Sequence, residues 1–142
     1  MNEKFILSLE WLRAGNAGIS FTNGNVNIMV DASYVLYDAL ADLIETAIYL
    51  LNGYDCKKTV FLEPGYISIE AAIQPDGNIE LKIGETAIVC PLQRYARQVL
   101  KMFDSYYYEH GVDEYEANWR AFPEKQLDTL RRLLRADKMK NN

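Results

Sequence analysis

Along the first thirty residues, apolar and polar positions alternate with the period of two that marks a half-buried strand. Phe5, Leu7, Leu9 and Trp11 share the inward phase of a strand over residues 4–12. Asn23-Gly24 then predicts a hairpin with a two-residue type I′ turn, in which both residues need positive φ. Closed there, Phe21 pairs with Val26 and Ile19 with Ile28, while Ser20 faces Asn27 on the other side. Pro75-Asp76-Gly77 marks a second hairpin. A two-residue loop would set Gln74 against Ile79 and mix the faces. A three-residue loop, with Gly77 left-handed, pairs Ile73 with Ile79, Ala71 with Leu81 and Ile69 with Ile83, and sets Glu70 opposite Lys82. The alternation selects the three-residue loop. Residues 57–63, 66–74 and a short edge at 86–90 supply the remaining strands, with Glu63-Pro64-Gly65 turning the chain between the first two.

Elsewhere the period lengthens to that of a helix. Ser33 is placed to cap a helix over 34–52, with Gly53 just past its end and an apolar stripe of Leu36, Leu40, Leu43, Ala47 and Leu50/Leu51. Pro91 opens a second helix that runs to His110 before Gly111, with Leu92, Ala96, Val99, Phe103 and Tyr106/Tyr107 inward. A short segment over 113–120 puts Tyr115 and Trp119 on one face, and Pro123 opens a last helix bearing Leu127, Leu130 and Leu134. Three strands, a helix, three or four strands and then three helical segments define an α+β protein. The expectation is an antiparallel β-sheet of six to seven strands with helices packed on one face. No linker or repeat interrupts the chain, so residues 1–142 read as a single domain with a frayed tail at 139–142.

Composition narrows the chemistry. The 142 residues are 49% apolar and 25% charged, which is globular, and carry a formal net charge of −5. The N-terminus lacks a basic, uninterrupted apolar leader, and Asp38, Asp42 and Glu45 interrupt the most apolar later stretch. The expected location is therefore the cytoplasm, with no membrane span, and Cys56 and Cys90 are expected as reduced thiols. A single histidine, His110, excludes His-pair metal sites and fits a helix C-terminal cap. Phosphate-cradling glycine motifs are absent. Glu10 and Glu70 fall on outward phases, which favours solvated or cross-strand-paired carboxylates over acid–base catalysis. No catalytic, cofactor or metal residues are assigned, and the overall charge opposes nucleic acid. The basic run Arg131, Arg132, Arg135, Lys138 and Lys140 complements a helix C-terminus.

Charge is unevenly spread: −4 over residues 1–52, −3 over 53–90 and +2 over 91–142. Asp38, Asp42, Glu45 and Tyr49 fall at i, i+4, i+7 and i+11 of the first helix, a stripe opposite its apolar face. That stripe holds no Lys or Arg. It is either a solvated face, a contact for a cationic partner with Tyr49 as an anchor, or a surface neutralised internally by Arg94, Arg97 and Lys101 of the second helix. Of ten tyrosines, Tyr106, Tyr107 and Tyr108 are consecutive, so at least one must leave the buried helix face.

Phe61-Leu62-Glu63-Pro64-Gly65, the Asp76-Gly77 hairpin, Gly111-Val112-Asp113-Glu114-Tyr115, Trp119, Phe122-Pro123 and the terminal Leu127/Leu130 helix together resemble small bacterial immunity proteins of toxin–immunity systems. The likeness spans most of residues 39–134, and its elements are turns, caps and packing aromatics, so no functional residue is carried over. It implies a non-enzymatic cytoplasmic protein that neutralises a cognate toxin domain. The acidic stripe, read from its spacing, adds the expectation that the toxin is basic and that Asp38, Asp42, Glu45 and Tyr49 are the partner-binding residues. The alternatives are a small-ligand-binding protein or enzyme using a sheet–helix cleft, and a homo-oligomer pairing through the edge at 86–90.

Overall fold

The computed structural model describes residues 4–62 and 64–140. The elements are β1 (Ile6–Arg13), β2 (Asn16–Asn23), β3 (Val26–Ser33), α1 (Ala39–Leu51), β4 (Cys56–Phe61), β5 (Tyr66–Ile73), β6 (Asn78–Ile83), β7 (Thr86–Pro91), α2 (Leu92–Asn118) and α3 (Glu124–Lys140). The architecture is α+β, and every strand pair is antiparallel. The seven strands divide into two sheets, β1-β2-β3 and β4-β5-β6-β7, where a single sheet was expected. One tie between them is the Asn23 side chain, whose Nδ2 donates to the Val89 carbonyl at 2.9 Å. That bond also occupies part of the β7 edge considered above for self-pairing. A single apolar cluster joins both sheets and all three helices, with Phe5, Phe21, Leu40, Ile44, Ile79, Leu81, Tyr95, Phe103 and Leu130 at its centre. Among the described residues no helix is long and apolar enough to cross a membrane.

The second hairpin has the expected register, Ile69 with Ile83, Glu70 with Lys82, Ala71 with Leu81 and Ile73 with Ile79. The first is corrected by two residues: Asn23 pairs with Val26, Phe21 with Ile28, Ile19 with Val30 and Ser20 with Met29. Gly24 and Asn25 form its loop, and only Gly24 has positive φ (61°), the backbone of a type II′ turn. A shift of two keeps every side chain on its face, so the core pattern survives the change.

In β1 the register slips between Leu9 and Trp11, making Glu10 an inserted residue. The insertion reverses the phase. Trp11, expected inward, pairs with Gly18 and is exposed, while Leu12 pairs with the buried Ala17. The indole lies so close over Gly18 that a Cβ there would sit 2.4 Å from the ring.

Ser33 ends β3 and α1 starts later than expected, at Ala39 with Asp38 as its cap. Leu36 therefore leaves the inward stripe and is exposed with Tyr34, Val35 and Tyr37. The Arg120 guanidinium holds this turn through the Tyr34 and Val35 carbonyls. At Gly111 the backbone leaves the helical region (φ 83°, ψ 170°), so α2 consists of two helical segments that meet at a kink, the interruption expected from the sequence. Tyr115 and Trp119 are both buried, Tyr115 against Phe103, Tyr106 and Phe122 and Trp119 against Tyr34. Tyr107, expected inward, turns outward with Tyr108, Tyr108 to 87% exposure. Pairing of β4 with β5 reaches Phe61 opposite Tyr66, and Glu63 of the expected turn lies outside the described residues. Met1–Glu3 and Asn141–Asn142 of the two termini also lie outside them, while α3 extends to Lys140.

Candidate functional site

Asp38, Asp42, Glu45 and Tyr49 follow one another along α1 and its cap, but the structure gives them different roles. Asp38 Oδ1 accepts from Ala41 N at 3.1 Å and from Trp119 Nε1 at 2.7 Å. It is thus a structural clamp between the start of α1 and the end of α2, not a member of a solvated stripe. Asp42 and Glu45 both face Lys58 of β4, at 3.8 and 3.5 Å from its Nζ. The same ammonium lies 5.9 Å from the centroid of the Tyr49 ring, within cation–π range.

Lys58 is therefore the cation that pairs with Asp42 and Glu45, offsetting one of their two charges, and the expected alternative trio does not face them. Arg94 Nε donates to the Phe5 carbonyl at 2.8 Å and Arg97 to Gln93 Oε1 at 3.0 Å, while Lys101 borders a groove beside β1. Sequence reasoning missed Lys58, although a signal existed. It lies between Cys56 and Val60 in strand phase and pairs with Ile69, which pairs with Ile83, so it points toward the core side of the second sheet. An inward lysine on an edge strand discourages pairing with other chains and requires a carboxylate within reach.

Burial raises the Asp42 carboxyl, Lys58 pulls it down, and a hydrogen bond and charge from Glu45 with the charge of Asp38 push it up again, to about 6. For Lys58, burial favours loss of the proton, but the carboxylates of Asp42 and Glu45 outweigh it and leave the amine above the ordinary lysine value.

The part of this face that remains open lies toward the C-terminal end of α1. The Asp42 side chain is only 19% exposed, whereas Glu45 is 42% exposed. Tyr49 and Tyr54 are 46% and 64% exposed. With Ile48, Asn52 and Gln126 of α3, these residues line a shallow groove of about 540 Å³. Beyond the other end of α1 stands the exposed apolar turn of residues 34–37.

A second concavity, of about 450 Å³, runs between β1 and α2. On its helix wall His110 Nδ1 lies 2.9 Å from Glu114 and Nε2 3.7 Å from Glu109, and the ring packs on Tyr106. His110 thus bonds neighbouring carboxylates instead of serving as the expected helix cap. Burial, then the Glu114 charge, raises the Tyr106 hydroxyl above its usual value. Glu10 and Glu70 sit on different sheets, and Glu70 pairs with Lys57 at 3.4 Å. Both cysteines are free thiols, and burial pushes Cys90 up to about 12. Among the described residues no group of three His, Cys, Asp or Glu is arranged to hold a metal. No family model matches the chain, and no curated protein or solved structure matches it either.

Proposed function

We propose that the protein binds a basic partner protein through the open end of α1, in the manner of an immunity protein that masks a toxin domain. The observation that carries this reading is the grouping of Glu45, Tyr49 and Tyr54 around one shallow groove. Exposed tyrosines supply large, rigid, amphipathic contact area at small entropic cost, which is why they recur as interface anchors. Glu45 and the net charge of −5 steer a cationic surface toward them. Asp38 is withdrawn from the contact set because its carboxylate is committed to Ala41 and Trp119. Asp42 contributes through the field it shares with Lys58 and Glu45 more than by direct contact.

The test is co-expression with the products of the neighbouring open reading frames. One of them should co-purify with the wild-type chain and be lost by the Glu45→Lys/Tyr49→Ala/Tyr54→Ala variant, with the circular dichroism of the variant unchanged. A variant that still protects cells expressing that product would place the interface elsewhere.

A further inference from the structure

We propose that the groove between β1 and α2 binds a short peptide with free termini, extended and antiparallel to β1 as an added strand of the first sheet. The inference is independent of the reading of α1. β1 is an edge strand, bonded to β2 on one side only. Its other side meets α2, where Arg94 Nε donates to the Phe5 carbonyl and the Leu7 amide donates to Gln98 Oε1 at 3.2 Å. At the far end, past β1, Asn118 accepts from Ala14 N at 3.1 Å through its side chain and from Gly15 N at 2.8 Å through its carbonyl. The helix is therefore tied to the strand edge at both ends, and the groove is the span between them.

Within that span the main chain of β1 is presented for pairing. Along an antiparallel strand every second residue turns its N–H and C=O the same way, so Leu9 follows Leu7 toward α2. The inserted Glu10 moves the phase by one, which gives Leu12 the same orientation. Among the described residues, the hydrogen bonds from α2 side chains to β1 end at Leu7. Leu9 and Leu12 thus offer main-chain groups to a ligand strand.

The charges on the helix wall fix the ligand's ends. Helix and strand advance together, Gln98 beside Leu7 and Asn118 beside Ala14, so Lys101 stands toward the Leu9 end and Glu109 and Glu114 toward the Arg13 end. A terminal carboxylate at Lys101 and a terminal ammonium that takes the place of the His110 ring at the two glutamates define a peptide running opposite to β1. Three or four extended residues span roughly 10–13 Å, which suits a groove bounded at both ends better than a longer chain would. The volume lies in the range of small-ligand sites.

The probe is trialanine, titrated into the ¹⁵N-labelled protein and followed by NMR and amide exchange. The expected result is shifts confined to β1 and to α2 from Gln98 to Glu114, with slowed exchange at Leu9 and Leu12. N-acetyl-trialanine-amide should bind at least about tenfold more weakly, as should trialanine to the Lys101→Met or Glu114→Gln protein. Lys101 is exposed, so its variant tests the contact without threatening the fold. The proposal is overturned if about 10 mM trialanine leaves the Leu9 and Leu12 amides unchanged, or if blocked and free peptides bind alike.

Discussion

Asp38 shows how one side chain can serve two elements at once. Its carboxylate satisfies an orphan amide in the first turn of α1 and the indole N–H of the buried Trp119, eighty-one positions away. Replacing it with Ala removes the cap, costing about 0.5–2 kcal/mol. It also strands a nearly buried donor, at a further cost of about 1–3 kcal/mol. Asp38→Ala should therefore lower the urea midpoint by the equivalent of roughly 2–4 kcal/mol with an unchanged m-value. Asp42 makes a prediction in pH. Its folded pKa of about 6 lies above the ordinary value of 3.8, so between these the native state holds more proton than the unfolded chain. Its contribution is full below the unfolded pKa and is lost as pH rises through 6. Asp42→Asn should flatten that part of the stability–pH profile, and the carboxyl carbon of Asp42 should titrate near pH 6 by NMR.

Among the elements, strands proved more legible than their joints. The three-residue loop at Pro75-Asp76-Gly77 was readable because only one loop length keeps Ile69, Ala71 and Ile73 opposite Ile83, Leu81 and Ile79. At Asn23-Gly24, loop registers two residues apart preserve the faces equally, so alternation could not choose between them. The choice is linked to a tertiary bond: Asn23 ends the strand and its amide reaches the Val89 carbonyl. The inserted Glu10 was illegible for a related reason, since it depends on Gly18 leaving room for the Trp11 indole on the opposite face. Gly111 was readable as an interruption, and its φ 83°, ψ 170° explains why. Nothing lies within 4 Å of a Cβ placed there, so Gly111→Ala acts through the backbone alone. It should cost about 1–3 kcal/mol in chemical denaturation and leave the far-ultraviolet spectrum helical.

At the scale of the whole molecule, the open end of α1 brings the charge of Glu45 and the exposed rings of Tyr49 and Tyr54 onto one face. If the α1 face meets a basic partner, the association rate should fall steeply as salt rises from about 0.05 to 0.5 M, with a much smaller change in the dissociation rate. Stopped-flow measurements on the co-purified pair check this, and a salt-independent association rate would contradict the reading. The candidate residues themselves were legible as a helical stripe, because their spacing requires only the 3.6-residue period. Their individual roles were not. Trp119 and Lys58 are distant in sequence, yet they determine that Asp38 is a clamp, Asp42 a shielded acid and Glu45 with Tyr49 the accessible remainder.

Local periodicity was enough to establish six to seven strands, the helices, most of their inward phases and the α+β class, because burial of one face per element is written into neighbouring residues. The division into two sheets, the inward Lys58, the inserted Glu10 and the slot beside β1 arose when distant elements packed. Such features rest on contacts between residues far apart along the chain, and short-range alternation holds no information about which distant partner will arrive.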